Sequence, residues 1–207
     1  MTKEKKGEDS LNFLTEKIML FTSITNDTFK KLLGKKYEVS GKLKPTKNHF
    51  NIDKRSIQIG GKDEADIVEY LYTFHTHPKD AYILYNTELG FPSKGDFGVY
   101  LESFIKFNNL IHFVITLEGI YSITINPYFI NKKLLKKNTD KYIRKNFSID
   151  KQNFTRKKGI LVNNFTIKTP KNFVNYANHR LFKDNKSLFI VSFKSWNTKE
   201  MVFKFFK

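Results

Sequence analysis

Two histidines stand two residues apart in Phe74-His75-Thr76-His77-Pro78, and an aspartate follows in Ser93-Lys94-Gly95-Asp96. On an extended segment residues i and i+2 project to the same side, so His75 and His77 can grip one ion. Two neutral imidazoles and a carboxylate, with a fourth position open to water, form the ligand set of a catalytic zinc ion. Such an ion makes hydroxide available near neutral pH. A histidine pair on a strand is a weak signal by itself, being more often packed or solvent-facing. Ser93 and Asp96 also have a purely local reading as helix cap and capping-box partner. The spacing predicts His75, His77 and Asp96 as ligands of a metal-dependent hydrolase and leaves the local roles open.

For these groups to meet, a strand end and a helix start must come together. The apolar run Ile67 to Phe74 leads into the histidines as a strand, and Pro78 stops it. Ser93 caps a helix that carries Phe97, Tyr100, Leu101, Phe104 and Ile105 on one face and ends at Asn108-Asn109. Upstream, strands are predicted over Lys17–Phe21, Tyr37–Leu43 and Phe50–Ile59. A short helix through Phe29, Leu32 and Leu33 is capped within Thr25–Thr28 and ended by Gly34. Downstream, Leu110–Thr116 and Ile120–Ile125 read as a hairpin around Leu117-Glu118-Gly119. Beyond Pro127 a basic helix is expected over 128–146, with strands over 159–168 and 187–206 and a turn at Trp196-Asn197-Thr198. The fold class is α/β, a mixed sheet flanked by helices, with a basic α+β C-terminal extension. Residues 1–10 are expected to form a disordered tail, 11–130 the domain that carries the histidines and Asp96, and 131–207 the extension.

The chain has 207 residues, of which 40% are hydrophobic and 28% charged, ordinary for one globular domain with an appendage. It has no cysteine, which excludes disulfides, thiolate metal sites and cysteine nucleophiles and suits an intracellular compartment. The start MTKEKKGEDS mixes charges of both signs without an apolar core, so no secretory signal is expected. No apolar run approaches the roughly 20 residues that cross a bilayer, so no membrane partner is expected. Usage rich in Lys, Asn, Ile and Phe suits an AT-rich genome, such as that of a large DNA virus or a parasite. Residues 1–130 carry 17 Lys/Arg against 16 Asp/Glu, while residues 131–207 carry 20 against 4. That asymmetry points to a polyanionic partner. Basic residues there alternate with Tyr142, Phe147, Phe154, Phe165, Phe173 and Tyr176, as stacking platforms for nucleic acid would require. The same aromatics serve equally as that region's core, and a Lys-rich stretch as a solvated face.

Taken in order, Glu38-Val39-Ser40-Gly41, His75-Thr76-His77-Pro78 and Ser93-Lys94-Gly95-Asp96 resemble the E-x-x-G, H-x-H-P and S-x-x-D pattern of the JAMM (JAB/MPN) metalloproteases. The stretch from Phe113 to Tyr121 resembles the family's strand pair after the helix, and the resemblance covers residues 15–126. It implies a JAB/MPN-like mixed sheet, with Zn2+ on His75, His77 and Asp96. Glu38 would be general base towards water and then proton donor to the leaving amine. Ser93 would hydrogen-bond the oxyanion. The implied activity is hydrolysis of an amide or isopeptide bond in a peptide or ubiquitin-like protein, as in deubiquitinases. Some members have lost the metal and only scaffold complexes, so the alternative is a non-catalytic scaffold or a nucleic-acid-binding module acting through 131–207. One departure from the pattern is the 14 residues between Pro78 and Ser93, longer than the family's usual interval. We read 79–90 as an insertion beside the cleft that covers, shapes or blocks it. His49, His112 and His179 lack companion ligands in sequence and are assigned structural or surface roles. Gly41 is expected to permit close backbone packing.

Overall fold

The run Ile111-His112-Phe113-Val114-Ile115 is buried at every position, so the strand it forms must be covered on both faces. The computed structural model describes residues 14–61, 68–126, 154–157, 160–163, 167–179, 188–198 and 200–206. The tail expected at 1–10 and the basic helix expected at 128–146 lie outside these. In chain order the elements are β1 (Leu14–Phe21), α1 (Ser23–Leu33), β2 (Val39–Pro45), β3 (His49–Ile59), β4 (Tyr72–Thr76), α2 (Lys79–Tyr85), α3 (Lys94–Phe107), β5 (Ile111–Ile115), β6 (Gly119–Ile125), β7 (Phe154–Lys157), β8 (Ile160–Asn163), α4 (Pro170–His179), β9 (Phe189–Ser195) and β10 (Glu200–Phe206). The protein is thus mixed α/β. Eight strands form one sheet in the order β10-β1-β3-β2-β4-β5-β6-β9, and β7 and β8 form a separate ribbon. The β1–β3 and β4–β5 pairs are parallel and the other pairs antiparallel.

Alternation along the strands sorts the core into two layers. Ile111, Phe113, Ile115 and Phe74 join Phe29, Leu32 and Leu33 of α1. Val114, Tyr121, Ile123 and Ile125 join Phe97, Tyr100, Leu101 and Phe104 of α3 and Phe173, Tyr176 and Ala177 of α4. In the first layer Phe21, Phe29, Phe50, Phe74 and Phe113 meet at ring separations of 5.1–5.7 Å, mostly edge to face, a geometry that favours aromatic pairs beyond their buried area.

α1 begins earlier than its Thr25–Thr28 cluster predicts. Its cap is Thr22, whose Oγ1 accepts the Thr25 N–H at 3.1 Å. β1 ends at Phe21, so the helix starts at once, and the Thr25 hydroxyl turns inward to donate to the Phe50 carbonyl at 3.1 Å. α3 follows its pattern closely. Ser93 caps it, and Asn108 ends it in the left-handed conformation with φ 57°. The Tyr100 hydroxyl fixes the helix on the sheet, donating to the Leu110 carbonyl and accepting from the Ile125 N–H, each at 3.0 Å. Gly41 packs as expected: it pairs with Phe74, and a Cβ there would lie 2.8 Å from the Phe74 ring. The expected turn at Trp196–Thr198 joins β9 to β10. These two strands come from the 131–207 stretch, yet β9 pairs along the length of β6 and β10 along β1. They flank opposite ends of the strand order and still touch each other, so the sheet curls on itself.

Candidate metal centre

β4 delivers His75 from inside the sheet, and the parallel pairing with β5 extends one step further, where the His77 N–H donates to the Ile115 carbonyl at 2.8 Å. Pro78 then turns the chain into α2. The two rings lean together, with Nε2 atoms 3.0 Å apart. Asp96 reaches them from the first turn of α3. Its Oδ1 lies 3.1 Å from His75 Nε2 and its Oδ2 3.5 Å from His77 Nε2. Ligand atoms around a tetrahedral ion at about 2.0–2.1 Å are separated by about 3.3–3.4 Å. The Nε2–Nε2 and Nε2–Oδ1 separations are close to those within one coordination shell, and His75, His77 and Asp96 each offer an atom within 4.8 Å of the others, a group that could hold a metal ion. The donor set suits zinc, and two histidines with one carboxylate is also a non-haem iron set.

Glu38 sits one residue before β2. Its backbone is clamped on both sides, N–H to the Gly61 carbonyl and C=O to the Gly60 N–H, each at 2.9 Å. The side chain is buried, and Oε1 lies 4.0 Å from His77 Nε2. Ser93 is exposed at the rim as the cap of α3. Its Oγ accepts the Asp96 N–H at 3.3 Å, while Asp96 Oδ2 accepts the Ser93 N–H at 2.5 Å. The local capping-box reading of this pair is therefore realised. It does not compete with ligation: the same box that starts α3 aims the Asp96 carboxylate at the histidines. All five residues singled out from sequence lie within this corner of the molecule.

Electrostatics favour a cation here. Burial disfavours a charged His77, but the carboxylates of Asp96 and Glu38 and the bond to the Gly90 carbonyl outweigh it and push the ring up to about 9. Burial raises Asp96, but the His75 and His77 rings reverse this and hold it well below the ordinary carboxylate range, ionised as a ligand must be. The field that holds a proton on His77 also favours a divalent ion.

Behind His75 lies a hydrogen-bonded chain that sequence reasoning missed. His75 Nδ1 is 2.7 Å from His112 Nε2, His112 Nδ1 is 2.8 Å from Thr73 Oγ1, and the Asn109 side-chain amide donates to Thr73 Oγ1 at 2.6 Å. A ring that offers the Nε2 lone pair to a cation carries its proton on Nδ1. His75 then donates to His112, and His112 donates to Thr73. Burial, together with the neighbouring His75, drives His112 down to about 3, so it stays neutral and able to accept. His112, given a structural or surface role from the sequence, is buried and hydrogen-bonded to His75, where it can orient that ring. The available signal was one polar residue on the α3-facing side of an otherwise apolar strand.

Comparison with protein-family models, curated proteins and solved structures finds no match. Among the described residues, no helix is long and apolar enough to cross a membrane.

Proposed function

We propose that the protein is a zinc-dependent metallopeptidase or isopeptidase of JAMM type, hydrolysing an amide bond in a peptide or ubiquitin-like protein. One observation carries the reading: His75, His77 and Asp96 converge while a second acid, Glu38 Oε1, lies 4.0 Å from His77. Two imidazoles and one carboxylate fit a zinc ion, which when bound would polarise a carbonyl and lower the pKa of water towards about 7. Glu38 takes the proton from the attacking water and delivers it to the leaving amine. Its clamped backbone and burial keep the carboxylate in place without reorganisation. Ser93 accepts the Asp96 N–H, so its own hydroxyl proton is available to the developing oxyanion. An acid placed beside the ligand cluster favours hydrolysis over oxygen chemistry at the same donor set. The absence of cysteine is compatible with action inside the cell.

The test is Glu38→Gln in zinc-supplemented protein, assayed on ubiquitin chains and an acyl-amide reporter. Metal content should stay at the wild-type level and the rate should fall by about 100-fold or more. His77→Ala should lose both. Hydrolysis by Glu38→Gln at the wild-type rate would overturn the assignment. A second reading, nucleic-acid binding through 131–207, rests on the 20 Lys/Arg against 4 Asp/Glu there. It is compatible with the first and requires steeply salt-dependent affinity.

A further inference from the structure

The 79–90 segment is joined to the metal centre by a continuous set of hydrogen bonds that converge on an acid outside the five site residues. Glu118 lies in the turn between β5 and β6. Its Oε1 accepts the Gly90 N–H at 2.9 Å and the Tyr121 hydroxyl at 3.2 Å, and its Oε2 accepts the Tyr82 hydroxyl of α2 at 2.5 Å. The Tyr82 oxygen in turn accepts the Leu117 N–H at 2.9 Å, closing the set across the turn. The other polar group of Gly90, its carbonyl, accepts from His77 Nδ1 at 2.8 Å. One peptide residue thus links Glu118 to the His77 ring.

The sequence makes this linkage specific. Gly90 is buried, and a Cβ there would lie 2.1 Å from the Tyr82 oxygen, so the position admits only glycine against that ring. A glycine left to itself samples a wide range of φ and ψ, and its carbonyl has no fixed direction. Glu118 removes that freedom by holding the N–H. We propose that Glu118 is a positioning residue for the metal centre, clamping the end of the 79–90 segment so that the Gly90 carbonyl fixes the His77 ring with Nε2 facing His75 and Asp96. The segment is then a buttress of the site. This role rests on the metal-binding reading, because it assigns Glu118 to the orientation of a ligand.

The test uses the full-length chain, with Co2+ and Zn2+ as probes. Glu118→Ala should weaken Co2+ binding by about 10–100-fold and alter the visible spectrum of the bound Co2+, as loss of an outer partner does. Glu118→Gln, which keeps an acceptor for the Gly90 N–H, should recover most of the affinity. A second arm needs no metal. In metal-free protein the His77 Nδ1 proton, followed by histidine-ring NMR, should exchange slowly in the wild type and fast in Glu118→Ala. Tyr82→Phe, which removes one hydroxyl and keeps the ring, should give an intermediate rate, and it serves if Glu118→Ala does not fold. Wild-type Co2+ affinity together with a protected His77 Nδ1 proton in Glu118→Ala would overturn the proposal. Failure of the wild-type protein to bind metal would refute the metal centre itself, and the ring proton alone would then decide whether Glu118 holds His77.

Discussion

Whether this corner of the molecule binds a cation turns on individual protons. His77, half-buried beside two carboxylates, has its pKa pushed up to about 9 from an ordinary 6.5. A group raised in the folded state stabilises it fully below the unfolded pKa and stops doing so as pH rises through the folded value. Asp96 has the opposite sign: lowered from 3.8, it stabilises above that value and ceases to as pH falls through its depressed one. The metal-free protein should therefore lose stability between pH 6.5 and about 9, with a slope from this ring of at most about 1.4 kcal/mol per pH unit. Saturating zinc should flatten the decline, because the cation takes the proton's place. Thermal unfolding across that range, with His77→Gln as control, checks this, and a wild-type slope equal to that of the variant would contradict it. The grouping of His75, His77 and Asp96 was legible from linear spacing. His112 was not, because it meets His75 through the parallel register of β4 and β5, which sets it beside Thr73, a residue 39 positions away.

At the scale of elements, α3 does two jobs with one motif. Ser93 and Asp96 close a capping box, and that closure aims the Asp96 carboxylate at the histidines. Stability and chemistry can be separated at the cap. Ser93→Ala should cost about 1 kcal/mol of stability, while Ser93→Asn, an equally good cap, should restore it. Under the proposed hydrolysis neither variant supplies a hydroxyl to the oxyanion, so both should turn over substrate slowly with metal retained. Urea unfolding and kcat measured on the same preparations test this, and full activity in Ser93→Asn would remove Ser93 from the chemistry. α3 was legible because its cap, its period of buried residues and its left-handed Asn108 agree. α2 was not: Ala81 to Tyr85 is apolar at every position, so no period marks which face is buried. Ala81 and Tyr82 turn inward while Ile83 and Leu84 stay exposed, and the carboxylate that receives Tyr82 lies 36 residues downstream.

At the scale of the molecule, β9 and β10 supply the two outer strands of the eight-stranded order. β9 and β10 were legible as strands from their apolar runs and the turn between them. Their destinations were not, since β6 and β1 accept them across long stretches of chain for which alternation sets a face and no partner. The result is that β4, β2 and β5 are held in the interior of the strand order with helices on both faces. The histidines are thereby fixed on a rigid support while Asp96 and Glu38 approach from element ends, the arrangement a preorganised site needs.

The measurement that bears most directly on this account is the coordination of zinc in the full-length protein, by X-ray absorption on metal-supplemented samples with metal content determined in parallel. About one zinc per chain is expected, with two imidazole nitrogens at about 2.0–2.1 Å and carboxylate or water oxygens completing a four-coordinate shell, and no tightly held zinc in His77→Ala. Protein that stays zinc-free after supplementation, or whose zinc survives the loss of His77 with an unchanged shell, would contradict it.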